Sequence, residues 1–221
     1  MIQIAHRGLS EYFKDNSKEA FNGAIQNGFE MIELDIQLSK DGIIFVYHDT
    51  FIDKFLLNDL TFQQISNLDK DILSFADFLS LVVKRSNIKI YLDMKGPGDE
   101  ICQILHDMLQ ETLEIEYIGS HIYIGSFNIK QVKKLRKLSK DYNLGIITEN
   151  RFPKEMIEWF ISSYDLQFFS FHWTVLDDEI SEYIHQKNIQ IFTYTNKANN
   201  ILNFMREKKY IDGIVTNYKF Q

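Results

Sequence analysis

The feature that most constrains this chain is a repeated alternation. Short β-branched or aromatic runs are separated by longer stretches with helical periodicity. Period two places alternate side chains on opposite faces of a strand, and spacings of three and four gather one face of a helix. Eight runs read as parallel core strands: Ile2–His6, Met31–Leu38, Lys89–Lys95, His121–Ser126, Leu144–Thr148, Phe168–His172, Gln190–Thr195 and Gly213–Thr216. Between them the periodicity predicts helices over Ser17–Asn27, Phe75–Lys84, Glu100–Leu113, Ile129–Leu138, Lys154–Ser162, Asp178–Lys187 and Ala198–Glu207. Asn16-Ser17 with Glu19 forms a helix-start signal, and Pro153 sits at the first turn of a later helix.

One further run, Ile43–Tyr47, breaks the alternation. It follows Leu38 after only Ser39–Gly42, too few residues for a parallel crossover, and Asp41-Gly42 is a hairpin-turn signal. It therefore pairs back as a hairpin and carries His48-Asp49 along the second strand. Eight βα repeats in 221 residues predict a (β/α)8 TIM-type barrel near the lean end of its usual ~200–250 residues, with a doubly wound sheet as the alternative. No linker or composition break divides the chain, so residues 1–221 are expected to form one domain. The sequence stops at Gln221, just after the eighth strand, so the last barrel helix is missing or reduced to a tail. Parallel sheets are covered on both faces. Either the tail Tyr218-Lys219-Phe220 or a neighbouring subunit is expected to cover the strand near Ile214 and Val215. The second case would make a homo-oligomer through that side.

Composition narrows the function classes. The net charge of −7 argues against a nucleic-acid partner, which needs a concentrated basic face. The lysines of Lys130–Lys140 alternate with Val132, Leu135 and Leu138 and read as the solvated side of a helix. The single cysteine, Cys102, lies in an apolar rhythm and can form no internal disulfide, which suits a reducing compartment. MIQIAHRG lacks the features of a secretory signal, and no apolar run approaches ~18–20 residues, so a cytoplasmic protein without an integral membrane segment is expected.

Barrel enzymes place their chemistry at the C-terminal ends of the strands. Here those ends offer His6 and Arg7, then Glu33 and Asp35 with His48 and Asp49 from the hairpin, then Asp93 and Lys95. Glu33 and Asp35 are two apart and share a face, with Ile32, Leu34 and Ile36 opposite. An antiparallel strand with a solvated face would show the same pattern. The recurrence of ionisable groups at His6, Asp93 and Lys95 favours a barrel mouth instead. Two inward carboxylates need a counter-charge, which a hard divalent cation, Mg²⁺ or Ca²⁺, supplies through oxygen ligands. Asp93 could complete the cage, and Lys95 would face a bound anion. His6 and His48 near such a cage look like an acid–base pair, and Arg7 suits bidentate phosphate binding. His106, His121 and His185 carry no such neighbours, while His172 ends the sixth strand and is an outside candidate.

These residues resemble the glycerophosphodiester phosphodiesterases. That family shows an HRG strand end, a PENT-like helix start, an A-F helix, an E-L-D strand, a D-G turn and a terminal H-D. This chain has His6-Arg7-Gly8, Asp15-Asn16-Ser17, Ala20-Phe21, Glu33-Leu34-Asp35, Lys40-Asp41-Gly42 and His48-Asp49, in that order and spacing. Weaker matches continue through Asp93-Met94-Lys95, Ser126-Phe127, Tyr194-Thr195-Asn196 and Asp212 to Asn217. The resemblance implies a (β/α)8 barrel, one divalent cation, and hydrolysis of glycerophosphodiesters to glycerol 3-phosphate and an alcohol, within glycerol and lipid metabolism. It makes His6 and His48 the general acid and base, in an order the sequence leaves open. It makes Glu33, Asp35 and Asp93 the metal ligands and puts Arg7 and Lys95 on the phosphate. The family usually has glutamate where this chain has Asp15 and Asp93. The shorter Asp93 would draw the metal toward the third strand or reach it through water. The region after His48-Asp49, Thr50–Ser74, holds little beyond a helix over Leu60–Leu68, which would leave the pocket open. Two rival readings remain: a non-catalytic phosphodiester-binding barrel, and a lysophospholipase D with an apolar groove lined by Phe171, Trp173 or Tyr194.

Overall fold

A computed structural model of the chain describes residues 1–83 and 86–220. The strands are β1 (Ile2–His6), β2 (Met31–Leu38), β3 (Ile44–Val46), β4 (Phe51–Ile52), β5 (Phe55–Leu56), β6 (Lys89–Met94), β7 (Ile122–Ser126), β8 (Asn143–Thr148), β9 (Phe168–His172), β10 (Gln190–Asn196) and β11 (Gly213–Thr216). The helices are α1 (Lys18–Gln26), α2 (Phe62–Leu68), α3 (Phe75–Val82), α4 (Glu100–Thr112), α5 (Ile115–His121), α6 (Ile129–Leu138), α7 (Lys154–Tyr164), α8 (Asp178–Gln186) and α9 (Asn199–Arg206). The order β1-β11-β10-β9-β8-β7-β6-β2, closed by a parallel β1–β2 pairing, makes an eight-stranded parallel ring. β3 lies outside the ring, antiparallel to β2, as the short Ser39–Ile43 connection dictates.

Strand parity divides the core into two layers. Ile4, Met31, Tyr91, Tyr123, Ile147, Phe168, Phe192 and Val215, one from each ring strand, form a cluster that fills the barrel. The large rings fit because small residues face them: a Cβ on Gly145 would lie 2.3 Å from the Phe168 ring. The opposite parity, including Ile32, Leu34, Ile36, Leu92 and Met94, packs under helix residues such as Phe21, Phe78, Leu105, Val132 and Ile157. Burial on both faces is what makes these strands read as near-continuous apolar runs.

Several sequence expectations change. Residues 113–121 are not a loop and a strand start. Leu113 turns extended after α4, and a short helix, α5, ends at His121, whose ring stacks on Tyr117 at 4.3 Å. The segment Thr50–Ser74 holds more than one helix. It also contains the β4–β5 hairpin, a single 3-10 turn at Leu57–Asp59, and Leu57, Ile65 and Ile72, which form a small core with Phe45 of β3. Its helix starts at Phe62, because Thr61 and Gln64 form a capping box. The third-helix expectation reaches Lys84, which lies outside the described residues, as does Gln221. Cys102 is fully buried, and the α6 lysines flank a buried Val132–Leu135 stripe.

No helix follows β11 among the described residues, and the tail takes its place. Ile214 is buried against Leu202 and Met205 of α9, with Tyr218 and Phe220 packed on the same cluster. The tail is tied down by Gln3, whose Nε2 donates to the Phe220 carbonyl at 2.9 Å and whose Oε1 accepts from the Phe220 N–H at 3.1 Å. Val215 has the other parity and points into the barrel. The chain thus covers the strand itself, which removes the ground for expecting a homo-oligomer through that side. No helix among the described residues is long and apolar enough to cross a membrane.

Candidate active site

The ring register decides which strand-end groups meet. His6 pairs with Glu33 across β1–β2, and Asp35 pairs with Asp93 across β2–β6. All four side chains share the inward parity at the C-terminal mouth, Asp35 and Asp93 two residues further along their strands than His6 and Glu33. They line a cavity of about 500 Å3 together with Arg7, His48 and Lys95, a size in the usual range for small-molecule sites.

The turn after β1 is built for this placement. Arg7 and Asn16 both hold left-handed backbone conformations, φ 55° and 57°, sparsely populated for such residues. They are linked by Asn16 N–H donating to the Arg7 carbonyl at 2.9 Å. Gly8 sits between β1 and α1 at φ 80°, where a Cβ would fall 2.6 Å from the Ala20 carbonyl carbon, so only glycine fits. Ser17 then caps α1 by accepting from the Ala20 N–H.

Asp35, 1% exposed, is the hub. It meets Arg7 Nε at 3.0 Å and Lys95 Nζ at 3.1 Å, and it accepts from Asn16 Nδ2 at 2.9 Å. Burial alone would raise its carboxyl, but Lys95 and Arg7 overcome that and hold it below the usual carboxylate range. Arg7 also reaches Asp15 at 2.9 Å, and its backbone N–H donates to Glu33 Oε2 at 2.9 Å. Glu33 is driven well above its ordinary value by burial and by the charges of Asp35 and Asp93. Asp93 is pushed up to about 6: burial raises it, Lys95 draws it back in part, and Asp35 adds to the rise. Lys95 holds its proton tightly because Asp93, at 2.5 Å, and Asp35 outweigh its burial.

These carboxylates fit a divalent cation. One ligand atom from each of Glu33, Asp35 and Asp93 lies within 4.8 Å of the others. Two oxygens on opposite sides of Ca²⁺ are separated by about 4.6–5.2 Å, so one ion can touch all three. Asp93 Oδ1 is buried with no partner. Carboxyls raised by burial and mutual repulsion, and a buried oxygen without a partner, fit a site for a cation. The shorter Asp93 still converges with the other two.

The two histidines differ. His6 is buried, and its Nδ1 lies 2.7 Å from Asn217 Oδ1. An amide oxygen only accepts, so Nδ1 carries the proton and Nε2 keeps its lone pair. Burial, then the Arg7 charge, depresses His6 to about 4. His48 is 39% exposed and pairs with Asp49 at 2.7 Å.

Further groups line the cavity that sequence reasoning did not place there: Tyr91, Glu149, Ser170 and Lys197. Glu149 carried a usable signal, because it follows the last residue of β8. His172 does reach the cavity. Of the three aromatics expected to line a groove, Trp173 and Tyr194 do so. Phe171 does not; it stacks on Phe169 at 5.6 Å in the outer core.

Residues 6–219 match the glycerophosphoryl diester phosphodiesterase family. A glycerophosphodiester phosphodiesterase of Caldanaerobacter subterraneus is 24% identical over 97% of this chain and 93% of its own. The glycerophosphodiester phosphodiesterase from Thermotoga maritima superposes with a TM-score of 0.81 at 23% identity, over 98% of this chain and 94% of that one. An Oleispira antarctica phosphodiesterase, solved with its product sn-glycerol-3-phosphate, does so with a TM-score of 0.81 at 17% identity, over 99% and 93%. At these identities the two structures speak for the shared barrel. The match over residues 6–219 spans the strand ends that carry the two histidines and the carboxylate cage, and by it this chain belongs to the glycerophosphoryl diester phosphodiesterase family of phosphoric diester hydrolases.

Proposed function

We propose that this protein hydrolyses glycerophosphodiesters to glycerol 3-phosphate and an alcohol, using one divalent cation, Mg²⁺ or Ca²⁺, held by Glu33, Asp35 and Asp93. The observation that carries this reading is the convergence of three buried carboxylates, two histidines and two cationic side chains on one cavity. Burial and mutual repulsion raise the Glu33 and Asp93 carboxyls beside this cavity, as carboxylates gathered to share a cation are raised.

In this reading the bound cation supplies Lewis-acid stabilisation of the negative charge that grows on the phosphate oxygens. Arg7 and Lys95 complete that stabilisation from fixed positions, already aligned by Asp15, Asp35 and Asp93. His6, neutral and with Nε2 free, takes the proton of the attacking hydroxyl. As the bond from phosphorus to the departing alcohol oxygen breaks, His48 protonates that oxygen. The Asp49 carboxylate, 2.7 Å from His48 Nδ1, holds the imidazole in place. The solvent-facing position of His48 lets it regain its proton between turnovers. The product of the Oleispira enzyme is the one this scheme yields. The single buried cysteine suits a reducing cytosol as its setting.

The test is release of glycerol 3-phosphate from glycerophosphocholine by the wild type and by His6→Ala and His48→Ala. Each variant should stay folded by circular dichroism and lose ~10²–10⁴-fold in turnover. Near-full turnover in either variant refutes the two-histidine scheme.

A further inference from the structure

The wall of the cavity that faces the carboxylates is chemically different, and the scheme above leaves it unused. Phe127 follows β7, Glu149 follows β8, His172 and Trp173 close β9, and Tyr194 lies near the end of β10. The rings form a connected series. Phe127 meets Tyr194 edge-on at 6.1 Å, His172 meets Tyr194 edge-on at 5.6 Å, and Trp173 lies 5.8 Å from His172. Phe127 is 47% exposed, an apolar ring left facing the cavity mouth. The Tyr194 hydroxyl is buried with no hydrogen-bond partner. Glu149 is exposed and has no ion pair or hydrogen bond among the described residues.

This wall adjoins the phosphate site directly. Lys95 Nζ stands 5.4 Å from the centre of the Phe127 ring. The Tyr194 hydroxyl is pushed up by burial and then by the charges of Glu149 and Asp93. Charge is divided between the two walls. Arg7 and Lys95 serve the anion, and Lys197, just after β10, is a further cation lining the cavity. On the β7–β9 side the formal charge is the Glu149 carboxylate.

Building on the hydrolase reading above, we propose that this wall holds the alcohol arm of the diester and selects an ammonium alcohol of the choline or ethanolamine kind. An ammonium group is attracted to ring faces and to a carboxylate, and a quaternary one asks for no hydrogen bonds. A polyol arm gains no charge attraction from the ring faces or from Glu149, and an anionic arm would be repelled by Glu149. The substrate then spans the cavity as a zwitterion, with its phosphate among the cations and its ammonium among the rings.

The test uses three substrates with the same glycerol arm: glycerophosphocholine, glycerophosphoethanolamine and glycerophosphoglycerol, assayed with metal-supplemented protein. The kcat/KM ratio of glycerophosphocholine to glycerophosphoglycerol should be about tenfold or more, expressed mainly in KM. Glutamine at 149 (Glu149→Gln) should cut that ratio about fivefold, and Phe127→Leu, at an exposed ring, about threefold. A wild-type ratio near one, or a ratio unchanged in both variants, overturns the proposal while leaving the hydrolase reading standing. No turnover of any of the three overturns the hydrolase reading, and this proposal with it.

Discussion

The two walls of the barrel mouth are built on opposite plans. On the β1–β2–β6 side every functional group is buried or half-buried and bonded to another: Asp35 to Arg7, Lys95 and Asn16, Glu33 to the Arg7 backbone, His6 to Asn217. On the β7–β10 side Phe127 and Glu149 are exposed and the Tyr194 hydroxyl is unpaired. The first wall is held in one geometry before substrate arrives, at the cost of carboxyls forced toward neutrality. The second keeps its surface free for whatever the substrate carries. Chemistry that stabilises developing charge needs fixed groups, whereas contacts to a variable arm do not.

The largest effect should come from cutting the hub of the fixed wall. Asp35→Ala leaves Arg7 and Lys95 without their shared buried partner, so it should cost ~3–5 kcal/mol in urea denaturation and at least ~10³-fold in turnover. If Asp35→Ala unfolds at the wild-type urea midpoint, the wall is not the interlocked unit described here.

A smaller effect, of opposite sign, is expected one strand away. The Asp93 carboxyl sits at about 6, above its unfolded value, so it costs stability increasingly as the pH rises from that unfolded value to about 6, and in full above that. Asp93→Asn should therefore stabilise the metal-free protein by about 1–3 kcal/mol at pH 7 while abolishing turnover. The sign can be followed with pH. Below about pH 4 the two proteins should converge, because Asp93 is then protonated in both the folded and the unfolded chain. The gap should open as the pH rises from about 4 to about 6 and level off above that. His6, depressed to about 4, contributes the opposite trend, stability gained as the pH rises from about 4 to its ordinary 6.5, but equally in both proteins. A gap that stays constant from pH 4 to 7 would remove the basis for a strained cage.

The smallest effect concerns orientation. Asn217→Ala frees the His6 ring without removing it and should lower kcat about tenfold with KM little changed. An unchanged kcat would mean that Asn217 does not fix the tautomer.

How much of this was legible follows from the range of each interaction. Glu33 and Asp35 could be placed inside the mouth because strand parity is local: Ile32, Leu34 and Ile36 mark the opposite face. The same parity, applied to β9, separates Phe169 and Phe171 from Ser170 and His172, and would have kept Phe171 out of the groove. His48 was placed by the impossibility of a four-residue parallel crossover. Asn16 and Asn217 were not legible as site residues. Their bonds to Asp35 and His6 span 19 and 211 positions, and only the closed ring brings them together. The short elements α5 and β4–β5 escaped for a related reason: two or seven residues carry too little periodicity, and packing decides their form.

The most direct test of the central claim is glycerol 3-phosphate release from a glycerophosphodiester before EDTA, after EDTA, and after Mg²⁺ or Ca²⁺ is returned. If the β1–β2–β6 wall is a metal-dependent hydrolytic centre, release stops with EDTA and resumes with the cation in the wild type, and does neither in Asp93→Ala, which stays inactive throughout. Release undiminished by EDTA, or tight binding of the diester with no cleavage under any cation, contradicts it.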